Sequence, residues 1–198
     1  MSAKPDTAST YATSPQPLDR LQELLDRQDI LDCIHRYCRA VDRFDRELLL
    51  SCYHPDAIDD HGMFVGDREA FADWAFGYHT IYQNITHHVV TNHTCDLDGD
   101  VAHTETYWLF SGLNKHPETG AEIPSTLHFG RYVDRLERRD GKWAIAARAC
   151  VIEWGGALGD VPVPAEALAA YAATAVAKRS RDDISYQRPL RISRKPTQ

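Results

Sequence analysis

The sequence predicts an α+β fold in which N-terminal helices pack on a strongly curved antiparallel sheet, giving a cone-shaped α+β barrel. Three observations predict it. Up to about residue 84, apolar residues recur mostly at helical spacing. From Ile85 onward the chain turns to long aromatic and β-branched runs. Those runs are separated by "DLDGD" (Asp96–Asp100), "HPETGAE" (His116–Glu122) and "RRDGK" (Arg138–Lys142), each holding Gly with an acidic or turn residue, as hairpins require.

The elements follow in order. Residues 1–17 are rich in Ser, Thr, Pro and Ala without periodicity, and a disordered arm is expected there. Leu21, Leu24, Leu25, Leu31, Ile34, Cys38 and Val41 then mark the apolar stripe of a helix over about 18–42. A short helix fits Asp45 to Tyr53, closed by the His54-Pro55 step. "AIDDHGMFVG" (Ala57 to Gly66) reads as a short strand and turn. Asp67 to Asn84 is a third helix, with Asp67 as N-cap and Glu69 in its first turn. Ile85–Asp96, Val101–Asn114, Thr126–Glu137 and Lys142–Trp154 form a meander of antiparallel strands. Strands of this length must twist and curl, and helices closing a curled sheet leave a conical small-molecule cavity. The expected division is an arm over 1–17, one domain over 18–155, and an extension over 156–198 with a possible helix in "AEALAAYAATAVAKRS".

Composition bounds the function. A chain of 198 residues with 43% hydrophobic and 26% charged residues suits one soluble domain. A net charge of -7 argues against nucleic acid or an anionic membrane surface as partner. No apolar run approaches the ~20 residues of a membrane span, and no secretion signal is apparent, so a cytoplasmic protein is expected. Five scattered cysteines without a CxxC read as reduced residues, not as disulfides or a zinc site.

Asp42 is the first candidate for chemistry. At the C-terminal end of the first helix, the dipole and burial would both push its pKa up, and it would want a proton-donating partner. The plain alternative is a solvated charge between Arg39 and Arg43. The partner lies in "NITHHVVTNH" (Asn84 to His93). Alternation puts His88, Val90 and Asn92 on one face and His87, Val89, Thr91 and His93 on the other, so only one of His87 and His88 can point inward. A histidine oriented by a carboxylate is a general base. Trp74, Phe76, Trp108 and Phe110 are expected as lining or core.

The order "YCRAVDRFD", "YHPDAIDDHG", "THHVVTNH", "GRYVDRLERRDGKWAIAAR" resembles the SnoaL-like group of the nuclear transport factor 2 superfamily, over about Leu21 to Trp154. That group includes scytalone dehydratases, bile acid dehydratases and hexachlorocyclohexane dehydrochlorinases. The resemblance implies Asp42 and His88 as the catalytic pair, with Tyr37 as a further catalytic residue. His61 stands where a substrate-polarising Tyr is found in some members, so it could donate, accept or titrate; it could equally be a turn residue or part of an Asp59/Asp60/His61 cluster. Arg148 and His128 are implied substrate contacts; alternation puts Arg148 on a strand face with Ala146, Cys150 and Ile152, expected to be buried, although Arg148 could simply bridge to Glu153 or Asp134. The resemblance also implies a homodimer or homotrimer.

The expected function is a cofactor-independent lyase, a dehydratase or related eliminating enzyme, acting on a hydrophobic aromatic or polycyclic small molecule. Loss of a small carbon fragment such as formaldehyde would use the same groups. The chemistry calls for no cofactor and no metal. The alternatives are an isomerase or polyketide cyclase, and a non-catalytic binding module or oxygenase partner subunit.

Overall fold

The computed structural model describes residues 17–159 and 178–190, with side chains from residue 19. The N-terminal arm and most of the helix expected in the C-terminal extension lie outside the described residues. Helix α1 (Pro17–Arg43) and the short α2 (Arg46–Leu50) precede strands β1 (Tyr53–Asp60) and β2 (Val65–Asp67). Helix α3 (Arg68–Tyr82) then leads into β3 (Gln83–Asp98), β4 (Val101–Asn114), β5 (Thr126–Arg139) and β6 (Lys142–Ala157). Among the described residues, no helix is long and apolar enough to cross a membrane.

The last four strands form the expected meander. In β4, buried Ala102, Thr104, Thr106 and Trp108 alternate with exposed His103 and Tyr107, so one face meets the helices and the other does not. The β5–β6 hairpin turns through Asp140 (φ 52°) and Gly141 (φ 75°), two left-handed residues in a row, which explains the Asp-Gly pair.

Two features of the sheet differ from expectation. It is mixed and open, in the order β2-β1-β6-β5-β4-β3, because β1 runs parallel along β6. A meander leaves its last strand with one unpaired edge, and β1 covers it. Pro55 therefore does not close a helix. It lies inside β1, where the pairing register breaks between Tyr53 and Ile58, as befits a residue with no N–H to donate. The second difference is a register shift between Val90 and His93. The irregularity turns His93 to the inner face, where its Nδ1 bonds Thr106 Oγ1 at 2.8 Å, rather than leaving it with His87.

The core joins the α1 face Ile30, Ile34, Tyr37 and Val41 to Phe71 of α3 and Leu136 and Ile145 of the sheet. The stripe begins later than its spacing suggested. Leu21, Leu24 and Leu25 are exposed, and burial starts at Asp26, which accepts from Trp143 Nε1 and from Arg138 at the β5–β6 hairpin. Asp67 caps α3 as expected, accepting from the N–H groups of Glu69 and Ala70.

Candidate active site

Asp42 owes its position to the corner between the first two helices. Helix α1 stops because Phe44 takes a left-handed conformation (φ 54°), uncommon without a glycine. The Phe44 ring is held between Phe76 (centroids 4.9 Å apart) and the Arg179 guanidinium, 3.7 Å from the ring centroid. Asp45 then caps α2 by accepting from Leu48 N–H. Asp42 is thereby turned toward β3. Its Oδ1 lies 2.7 Å from His88 Nδ1 and its Oδ2 accepts from the His88 backbone N–H at 3.0 Å. Both side chains are about nine-tenths buried. Both carboxylate oxygens are thus spent on one residue, which fixes the imidazole in place and leaves Nε2 as its free lone pair.

The expected upward shift of Asp42 is not what the geometry produces. Burial pushes the carboxyl up, but the side-chain and backbone hydrogen bonds from His88 outweigh it, and the net value lies below the ordinary carboxylate range. The helix end is the weaker influence because two donors sit directly on the oxygens.

His88 opens into a cavity of about 380 Å³ between α1, α3 and the inner sheet face. Tyr37, His61, Trp74, Trp108, Phe110 and His128 also line it. His61 faces Tyr37, with Nε2 3.3 Å from the phenolic oxygen. Its Nδ1 is hydrogen-bonded to fully buried Asp59, whose other oxygen accepts from Tyr53 O–H at 2.6 Å. Burial holds the Tyr37 phenol well above its usual pKa although Arg148 opposes the shift, so it stays a neutral donor.

Two participants were missed in the sequence. Asp59 entered only as part of a possible Asp59/Asp60/His61 cluster, yet alternation from buried Ala57 already places Asp59 and His61 on one face. His79 also lines the cavity, and it lies eight residues after Phe71 and four after Ala75, on the buried stripe of α3. Its Nδ1 meets Gln83 Oε1 at 2.9 Å, and its ring stands edge-on to His88 at 5.8 Å.

A family model described as a SnoaL-like domain matches residues 22–149. The chain belongs to the SnoaL-like domain family. Solved structures share the fold. LinA is 23% identical, with a TM-score of 0.65, covering 73% of this chain and 97% of its own. Hexachlorocyclohexane dehydrochlorinase LinA-type3 from Novosphingobium barchaimii is 22% identical with a TM-score of 0.64, covering 73% of this chain and 99% of its own. A Novosphingobium aromaticivorans protein assigned as a scytalone dehydratase is 19% identical with a TM-score of 0.61, covering 72% and 93%. No functionally curated protein sequence matches this chain.

Within this SnoaL-like domain one expected substrate contact is misplaced. Arg148 does not line the cavity. Its guanidinium is fully buried behind the wall, bonded through two nitrogens to Asp134 at 2.7 Å each, and lies 4.1 Å from the ring centroids of both Tyr37 and Tyr132. Alternation correctly put it on a buried face. That face carries it into the rings beneath the cavity floor, where Asp134 neutralises it.

Trp108 depends on a glycine. A Cβ at Gly130 would come within 2.4 Å of Trp108 Cζ2 and 2.0 Å of the Val151 carbonyl oxygen. Gly130→Ala is expected to destabilise the domain by about 1–3 kcal/mol and to move the indole. Denaturant midpoint and tryptophan emission measure both effects.

Burial lowers the His79 pKa to about 4, with help from the neighbouring His88 and Arg179 charges and against Gln83 and Asp42. Because the folded value is the lower one, the unfolded chain takes up the proton first as pH falls. This stabilising contribution is complete above about 6.5 and is lost progressively toward pH 4, to a total on the order of 3 kcal/mol. Unfolding free energies of the protein and of His79→Gln, measured across that range, should differ in slope.

Residues 178–190, part of the C-terminal extension, return to this end of the domain. Arg179 donates to the carbonyls of His79 and Gln83, and Tyr186 O–H and Arg181 both reach the Asp45 carboxylate.

Proposed function

We propose that this SnoaL-like protein is a cofactor-independent lyase that removes a proton from carbon and expels a group from the neighbouring carbon of a hydrophobic, aromatic or polycyclic small molecule. One observation carries the reading: the Asp42 carboxylate holds His88 by Nδ1 and by its backbone N–H, so that Nε2 is the free base in a cavity walled by aromatic rings. The names of the fold relatives, dehydrochlorinase and scytalone dehydratase, denote eliminations and support the same class.

The steps follow from the residues. His88 Nε2 takes the proton from a C–H made acidic by an adjacent carbonyl or ring, and Asp42 balances the imidazolium. Tyr37 donates a hydrogen bond to the substrate oxygen on which charge gathers. The apolar rings of Trp74, Trp108 and Phe110 offer water few partners beside a bound substrate, which strengthens these interactions. A cavity of about 380 Å³ holds a molecule of two or three rings.

Mass analysis tests the class. Incubation with β-hydroxy ketones and halogenated cyclohexanes, hexachlorocyclohexane included, is expected to give products lighter by water or hydrogen halide. Unchanged mass with deuterium taken up from heavy water would make the protein an isomerase on the same base. The absence of both mass loss and deuterium exchange would overturn the reading.

A further inference from the structure

His61, which lines the cavity, belongs to a second imidazole–carboxylate pair with no part in the proton abstraction just described. Asp59 is fully buried on β1, accepts from Tyr53 O–H and is bonded to His61 Nδ1. His61 Nε2 reaches Tyr37, and both residues line the cavity with His88. A carboxylate buried this completely is costly to a fold unless it is used or paired. Here it is paired with an imidazole that opens onto the site.

We propose that Asp59 and His61 form a second proton-transfer unit, which supplies through Tyr37 the proton a departing hydroxyl requires. The inference rests on the elimination reading and assigns the leaving-group side of that reaction. With His61 neutral, Nδ1–H is given to Asp59 and Nε2 accepts from Tyr37 O–H. With His61 protonated, the hydrogen bond reverses: Nε2–H donates to the phenolic oxygen and the Tyr37 hydrogen is free to face the substrate. In the reaction, His88 takes the carbon-bound proton and that electron pair forms the new C=C bond. The C–O bond breaks, the oxygen takes the Tyr37 proton and leaves as water, and Tyr37 is reprotonated by His61. His88 ends with one proton more and His61 with one fewer, and exchange with solvent resets both.

The groups facing His61 from each element are Asp59 near the end of β1, two residues before it, Tyr37 from α1, Phe71 and Trp74 from α3, and Tyr132 from β5. Of the groups on β6, Arg148 lies against the Tyr37 and Tyr132 rings and is neutralised by Asp134, while burial keeps the Cys150 thiol protonated to about pH 12. Asp59 is therefore the charge placed to balance a protonated His61. Asp59 acts as a positioning residue, and Tyr37 is the group that touches the leaving oxygen.

The test uses two probes that give one product: the water adduct of benzylideneacetone, which must expel hydroxide, and its acetate ester, whose leaving group needs no proton. The wild-type protein is expected to show a bell-shaped pH profile of kcat/KM on the hydroxy ketone and only the acid limb on the ester. His61→Gln and Asp59→Asn should lower turnover of the hydroxy ketone by ~10²–10⁴-fold, remove its alkaline limb, and lower turnover of the ester by less than ~10-fold. His88→Ala should lower both. Equal losses on the two probes, or none, with His88→Ala still damaging both, would overturn this inference alone. If His88→Ala spares both probes, or the wild-type protein accelerates neither, the elimination reading falls and takes the inference with it. Should the variants fail to fold, the wild-type profiles decide, because an alkaline limb shared by both probes or absent from both is incompatible with the proposal.

Discussion

Replacing His88 by alanine is expected to lower turnover by about 10²–10⁴-fold while the protein keeps its fold and its affinity for a product analogue. The size follows from removing the only base that the carboxylate orients in this way. The fold should survive because the His88 backbone N–H, which the substitution keeps, still donates to Asp42 Oδ2, and the lost ring borders the cavity. Stopped assays of kcat, together with a melting curve and a binding isotherm, check the three parts. Unchanged kcat would remove the base assignment. Asp42→Asn should come close to the same loss for a different reason. The amide can turn its NH₂ toward Nδ1, which moves the imidazole proton to Nε2 and blocks the lone pair. This substitution also has a pH signature. Because the Asp42 carboxyl is held below the usual carboxylate range, its ionised form stabilises the fold at all pH values above that range and loses this effect as pH falls through its lowered value. Asp42→Asn should therefore flatten the acid side of the stability profile, below about pH 4, without changing its slope near neutrality.

The largest expected loss of stability comes from Asp134→Ala, about 3–5 kcal/mol. Asp134 and Arg148 have no exposed side-chain area and form a bidentate pair, with the guanidinium between two tyrosine rings. Taking away the carboxylate strands a charge in a place water does not reach, and Arg148 Nη1 already lacks a partner. Replacing both residues together, Asp134→Leu with Arg148→Met, should recover most of the loss, because it removes the charge along with its counterion. Chemical denaturation of the two single variants and the double variant forms a cycle. Additive losses would mean that the pair is not what holds the cavity floor. Since Arg148 supports the rings of Tyr37 and Tyr132, the single variant should also lose activity before it unfolds.

The helices, the four-strand meander and its hairpins were legible because each is written in residues close together in the chain. Apolar spacing marked α1 and α3, Asp67 marked a helix start, and Asp140-Gly141 marked a turn that only left-handed residues can make. Alternation was also informative where it was followed. It allowed only one of His87 and His88 to point inward, the resemblance favouring His88, and it put Arg148 on a buried face and Asp59 on the same face as His61. It failed at His93, where an irregularity in β3 breaks the period. It also said nothing of how far in a buried face goes, and so Arg148 was expected at the substrate rather than beneath it. His79 was passed over because a histidine on a helical stripe gives no sign of what faces it.

The sequence by itself determined the order of helices and strands, since period, cap and turn depend on neighbours along the chain, and its resemblance to the SnoaL-like group singled out Asp42 and His88 as candidates. Only the tertiary structure decided that Asp42 and His88, 46 residues apart, spend two hydrogen bonds on each other. The same is true of β1 closing the free edge of β6, of Asp134 neutralising Arg148, and of Asp59 with His61 standing in the same cavity as His88. Each of these depends on which surfaces meet once the sheet has curled. Burial then sets the charge states: close donors at Asp42 outweigh the cost of burying it, while at His79 that cost prevails.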